Sequence, residues 1–197
     1  SRLWCAVAMT ALDTRNFGVA ASNAEQAIEI CPEYAEPWKT AGLAYWWNGE
    51  LDRATTFLDG FFERGGSDDE GAVIVAANIF KAQGDYRRAI VLLEGLVSRS
   101  PRAAAARNNL AWYLLSAEPA ELRDREAALR HAEVAVKLVR GQGSFIDTYV
   151  AALLAANRRE EAIKELRRLL PTMPADDRYR IELAKKLTDL QQERGGR

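Results

Sequence analysis

Five alanines, Ala20, Ala54, Ala89, Ala128 and Ala162, stand at the same place in five otherwise different segments. The segments read NFGVAASNAEQAIEICP (16–32), ELDRATTFLDGFFERGG (50–66), DYRRAIVLLEGLVSRSP (85–101), REAALRHAEVAVKLVRG (125–141) and RREEAIKELRRLLPTMP (158–174). Successive alanines lie 34, 35, 39 and 34 residues apart. Around them apolar residues recur at helical spacing, and strand signals are nearly absent. The prolines, at 32, 37, 101, 119, 171 and 174, mostly fall where helices should stop. A helical hairpin of this length cannot bury its own apolar face, so neighbouring units must stack.

The pattern resembles the tetratricopeptide repeat. That family has a large residue at position 4, apolar at 7, small at 8, large at 11, often Gly at 15, aromatic at 17, Ala at 20, large at 24, Ala at 27 and Pro at 32. The first unit matches with Trp4, Val7, Ala8, Phe17, Ala20, Ala24, Ala27 and Pro32, and departs at Ala11 and Arg15. The second matches with Trp38, Ala41, Gly42, Tyr45, Gly49, Leu51, Ala54 and Leu58, and departs with Phe61 and Gly66. The third gives Val73, Ala76, Ala77, Phe80, Gly84, Tyr86, Ala89, Leu93, Leu96 and Pro101, and the fifth Ile146, Tyr149, Val150, Leu153, Asn157, Ala162, Leu166, Leu169 and Pro174. The fourth is irregular: Leu110, Ala111 and Leu114 point inward, and EPAELRD lengthens its loop by five residues.

The resemblance implies an all-α, right-handed α-solenoid of five helix-turn-helix repeats in a single domain. The repeats span about 1–34, 35–69, 70–103, 104–142 and 143–176, followed by a capping helix over 177–193. In that last helix Ile181, Leu183, Ala184, Leu187 and Leu190 are expected to form the apolar side. Because no polar cap precedes the first repeat, the chain reads as the C-terminal part of a longer protein, with Ser1 a cut or tag remnant.

Composition narrows the function. The chain is 48% hydrophobic and 28% charged, with a net charge of −1 and a pI near 6.0. A nucleic-acid or membrane-surface binder wants a basic excess, which this chain lacks. No apolar run reaches the roughly 18 residues that a membrane-spanning helix needs. Catalysis is not expected: there is no phosphate-binding loop, nucleophile elbow or metal-spaced Cys/His set, and His131 reads as a partly exposed surface residue. No cofactor or metal is implied. In GGSDDEG (65–71) the glycines end a helix, and Ser67, Asp68 or Asp69 caps the next. Cys5 and Cys31 are expected to be free, half-buried thiols near the same end of an antiparallel helix pair.

In the family, first-helix positions 2, 5, 9, 12 and 13 line the concave groove and position 6 can reach it. The corresponding residues here are Lys39, Leu43, Trp46 and Trp47 in the second repeat and Asn78 and Lys81 in the third. The fourth supplies Asn108, Asn109 and Trp112, and the fifth Asp147. Trp4 and Trp38 fall at core positions; Trp46, Trp47 and Trp112 fall at groove positions, where grouped aromatics commonly anchor ligands. Packing between repeats is the competing account of Trp46.

Asn78 and Asn109 resemble part of the carboxylate clamp of chaperone-binding members, in which amides grip a peptide backbone. Ile74 replaces the clamp lysine, and Asp147 stands where a base is wanted, so a C-terminal carboxylate ligand is disfavoured. The resemblance therefore implies a non-enzymatic module binding an internal peptide segment or partner helix. The alternative is a structural spacer or oligomerisation unit of a larger, envelope or secretion, assembly. A helical repeat that reads RNA fails on charge, and no compartment is indicated. The spacing alone makes one stability prediction. Ala20, Ala54, Ala89 and Ala162 substituted by Leu should each lower stability by about 1–3 kcal/mol through overpacking, measured by urea denaturation; four unchanged midpoints would refute the register.

Overall fold

The computed structural model describes residues 2–192. Among these there is no strand, and the regular structure consists of α-helices with three short 3₁₀ turns. Ser1, and Glu193 at the end of the expected capping helix, lie outside the described residues. The chain divides into two compact units between Ser100 and Pro101.

The first unit contains α1 (Arg2–Asp13), α2 (Phe17–Ile30), α3 (Ala35–Asn48), α4 (Leu51–Glu63), α5 (Glu70–Ala82) and α6 (Tyr86–Arg99). Consecutive helices pack as hairpins, and α1 also touches α3, and α3 touches α5. Ala20, Ala54 and Ala89 are fully buried, as are Ala8 and Ala77 at position 8. Leu58, Val73, Ile79, Leu93 and Leu96 fill the space around them. A methyl group added to Gly42 would lie 2.7 Å from Leu58 Cγ, and one added to Gly60 would lie 2.2 Å from the Trp38 ring. These two glycines let α3 and α4 approach closely enough for Phe57 to pack against both Trp38 and Tyr45, with centroids 5.8 and 5.4 Å away.

The hairpin turns share one device. Gly49 and Gly84 adopt left-handed backbone at φ 84° and 81°. The amide after each bonds five residues back (Glu50 to Tyr45, Asp85 to Phe80), which caps the preceding helix in a Schellman motif. Arg15, the departure from glycine in the first repeat, takes the same conformation at φ 60°, and Asn157 does so in the fifth. The joints between repeats are tied by side chains. Trp38 Nε1 and Arg64 Nε both donate to the Pro32 carbonyl, at 2.9 and 2.5 Å. One repeat later Arg99 bonds the Ser67 carbonyl at 2.7 Å and Asp68 at 2.6 Å. Asp69 caps α5 by accepting from Ala72 N at 2.8 Å.

Two expectations about the first repeat are corrected. Trp4 and Val7 are 41% and 40% exposed, with Leu3 at 74%. Trp38 at the equivalent position packs on Phe57 and lies under the Arg64 guanidinium; a repeat earlier those partners are Asn23 and Ile30, which offer neither ring nor cation. Val7 corresponds to Ala41, buried where α3 meets α2, and no described helix precedes α1.

The second unit contains α7 (Ala104–Ser116), α8 (Arg125–Leu138), α9 (Gly143–Ala155), α10 (Arg159–Leu169) and α11 (Arg178–Gln192). The longer loop of the fourth repeat carries a 3₁₀ turn at Ala120–Leu122, and Asp124 then caps α8 through Ala127 N at 2.8 Å. Ala111, Ala128 and Ala162 are fully buried among Leu110, Ile146, Val150, Leu153 and Leu166. Arg107 Nε donates to the Pro101 carbonyl at 2.7 Å, as Trp38 does to Pro32. The last helix packs on α9 and α10, but not by the whole expected face. Leu183 and Leu190 are buried, whereas Ile181 is 81% exposed, Ala184 is exposed and Leu187 is half-buried. Two residues along a helix turn the side chain by about 200°, so Ile181 points away from Leu183.

Among the described residues no helix is long and apolar enough to cross a membrane. The close approach at Gly60 sets up a contest of known sign. Gly60→Ala gains about 1 kcal/mol of helix propensity but drives a methyl into the Trp38 ring, at a cost of about 1–3 kcal/mol. Net destabilisation in urea is expected, and a Gly60→Ala protein more stable than wild type would overturn the packing described.

Candidate functional site

The groove positions separate into two groups once side chains are placed. Position 5 is turned toward neighbouring elements. In the first unit Lys39 Nζ pairs with Glu36 at 2.7 Å and with Asp69 at 3.2 Å, which fastens α3 to the start of α5. Burial lowers the Lys39 pKa, but hydrogen bonds and charges from Glu36 and Asp69 outweigh it and raise the value above the ordinary one. In the second unit Asp147 pairs with Lys186 of α11 at 2.7 Å. Asn108, also at position 5, is only 9% exposed, and its Oδ1 has no hydrogen-bond partner among the described residues. Lys39 and Asp147 are thus engaged with neighbouring helices, and Asn108 is nearly buried.

The adjacent tryptophans also part company. Trp46 is half-buried. Trp47 is 62% exposed and stacks on Phe17 with centroids 6.1 Å apart and planes 17° from parallel. With Leu12, Asp13 and Arg15 these two rings line a cavity of about 310 Å³ at the α1–α2 turn. A 100° step between successive residues makes this division unavoidable. Trp47 thus belongs to a surface hollow beside a hairpin turn.

Position 9 and its neighbours remain. Leu43 and Asn78 are half-buried and Lys81 is exposed, all in the first unit. In the second, Asn109 is half-buried, and Trp112 is 42% exposed. They lie three residues apart on α7, on one face. Ser116 Oγ donates to the Trp112 carbonyl at 2.8 Å.

One polar cluster was not foreseen. Tyr45 donates its hydroxyl to Glu25 at 2.8 Å, Arg53 pairs with the same carboxylate oxygen at 2.6 Å, and the Arg53 guanidinium lies 3.9 Å from the Tyr45 ring centre. The cluster joins α2, α3 and α4. Its only trace in the sequence is an aromatic at position 11 with oppositely charged residues on the flanking helices. Burial, then the hydrogen bond to Glu25, pushes the Tyr45 pKa up to about 12. His131 receives an N–H from Arg107 at its Nδ1, 3.2 Å away. Burial and then the Arg107 charge lower its pKa, so near neutral pH it is an uncharged acceptor held by a structural arginine.

Comparison with solved structures decides the fold. MamA superposes with a TM-score of 0.74 at 15% identity, over 87% of this chain and 90% of that one. PilF of Pseudomonas aeruginosa gives 0.75 at 16%, over 98% and 85%. YrrB, a TPR protein with an unusual peptide-binding site, gives 0.72 at 15%, over 92% and 90%. This chain has the tetratricopeptide-repeat fold. No family model matches it, and no curated protein does; the TPR architecture is carried by helix spacing and small-residue placement at low identity.

The Tyr45 cluster yields a pH prediction. Tyr45 titrates near 10.0 when unperturbed and near 12 in the fold, and burial raises Tyr149 likewise. A raised pKa contributes stability that is fully present below pH 10 and is lost as pH rises toward 12. Unfolding free energy should therefore fall across that window, and Tyr45→Phe should make the fall shallower. Equal slopes for the two proteins in urea titrations would remove the role given to Tyr45.

Proposed function

We propose that this TPR-fold chain is a non-enzymatic protein-interaction module that holds a peptide segment or partner helix against its first helices. The observation that carries this reading is Trp112. Trp112 is 42% exposed on a helix where Leu110, Tyr113 and Leu114 are buried and Leu115 is half-buried. Leaving an indole in water is costly, and ring faces of this kind are the usual anchors of protein contacts. Asn109, one turn away, supplies an amide that can both donate to and accept from a peptide bond. In the first unit Leu43, Asn78 and Lys81 offer a comparable mixture of apolar, amide and cationic groups. YrrB, of similar fold, has a peptide-binding site. The near-neutral net charge favours a protein partner over a nucleic acid.

A second reading, self-association in a larger assembly, is favoured by α1. Leu3 and Val7 are bare where the equivalent Pro37 and Ala41 of α3 are buried. A second copy laid along α1 would cover them.

The test is selection of peptides from a display library, followed by titration of the best binder against wild type, Trp112→Ala and Asn109→Ala. Loss of a central anchor costs about 2 kcal/mol, roughly 30-fold in Kd, so Trp112→Ala should weaken binding by that order with unchanged thermal melting. Wild-type affinity in both variants would remove α7 from the binding surface. A dimer by light scattering that Val7→Glu dissociates would favour the second reading.

A further inference from the structure

The chain contains two cysteines and two methionines. Three of these four sulfur-bearing side chains, Cys5, Met9 and Cys31, line one cavity of about 230 Å³. The fold brings them together in two steps. Cys5 and Met9 are four residues apart on α1 and share a face. The hairpin then lays the end of α2 beside the start of α1, and Cys31 is the residue that ends α2, its N–H bonded to the Ala27 carbonyl at 3.0 Å. Ala6, Ala27 and Pro37 line the same cavity.

Both thiols are free and half-buried, and Met9 is 44% exposed. They are neither sealed in the core nor fully in water. We infer that Cys5, Met9 and Cys31 form a binding site for a soft monovalent cation, copper(I) or silver(I).

The donor set determines the class of ion. Two thiolates and a thioether are soft ligands, which select copper(I) over harder ions. Structural zinc takes four ligands from Cys, His and carboxylates; among the described residues no three such groups are gathered anywhere. Binding is ligand exchange without redox change. The cation forms bonds to both sulfurs, each thiol releases its proton to water, and the metal remains monovalent. The resulting bis-thiolate complex carries one net negative charge, and Arg2 is among the residues lining the cavity. Burial, then the Glu36 carboxylate, raises the Cys5 pKa, so the metal-free thiol stays protonated at neutral pH and is not a reactive thiolate.

The test is anaerobic titration of the fully reduced protein with copper(I) in competition with bicinchoninate, read by thiolate-to-copper charge-transfer absorption. One equivalent should bind. Cys5→Ser and Cys31→Ser should each weaken binding by on the order of 100-fold or more. Met9→Leu should weaken it by about tenfold; even removal of groups that merely support ligands costs 10–100-fold. Silver(I) should follow the same ranking. Melting curves of the metal-free variants identify any that fail to fold, and Met9→Leu, which conserves volume, keeps the test open in that case. Wild-type affinity in Cys5→Ser or Met9→Leu would overturn the site. So would equal affinity for zinc(II), or binding in wild type no tighter than in the double serine variant. Neither result bears on peptide binding at α7.

Discussion

The close approach of paired helices at small residues is the constraint on which the rest of this structure depends. Ala20, Ala54, Ala89, Ala128 and Ala162 expose no surface at all, and at each of them a larger side chain would hold two backbones apart. The second repeat takes the principle furthest. Glycines at 42 and 60 leave no room even for a methyl group. The space they yield is filled by Trp38, Tyr45 and Phe57, joined through the Phe57 ring, with an arginine over each of the Trp38 and Tyr45 rings. Small and large residues are therefore one feature: the aromatics can pack because the glycines stand opposite them. The first repeat shows the converse, since Trp4 has no such partners and stays 41% exposed.

A second recurring element ties down the turns between hairpins. Where one hairpin passes to the next, the chain turns through Pro32 or Pro101, and the freed carbonyl is bonded by a side chain on the following first helix, Trp38 or Arg107. Arg64 and Arg99, thirty-five residues apart, reach back from the ends of α4 and α6 to the same kind of joint. The donors differ, indole in one place and guanidinium in another, but the acceptor is a backbone carbonyl that would otherwise lack an intrahelical partner.

The repeats and the inward positions were legible in the sequence because they depend on local periodicity and residue size. Even Arg15, a departure from glycine, sits at the left-handed turn the pattern requires. What was not legible depends on the neighbouring helix. Lys39, Asn108 and Asp147 share a stripe with true surface positions, and it is Asp69 and Lys186, thirty and thirty-nine residues away, that tie two of them to neighbouring helices. The Tyr45–Glu25–Arg53 cluster is equally non-local. Ile181 differs for a simpler reason: it lies about 200° around the helix from Leu183, so the two apolar residues cannot both face α9 and α10.

These placements redistribute where specificity can arise. A first helix has three outward positions per two turns to divide between holding its neighbour and meeting a ligand. Position 5 goes to the neighbour in the second and fifth repeats, through ion pairs that also neutralise the charges offered there. Under the reading proposed above, shape and hydrogen bonding to a partner fall to Asn109 and Trp112 on α7. A surface of that kind would rely on indole burial and amide hydrogen bonds more than on charge. Its affinity for a partner should accordingly depend less on salt than that of a basic peptide clamp, because screening acts on exposed charges and leaves indole burial largely untouched.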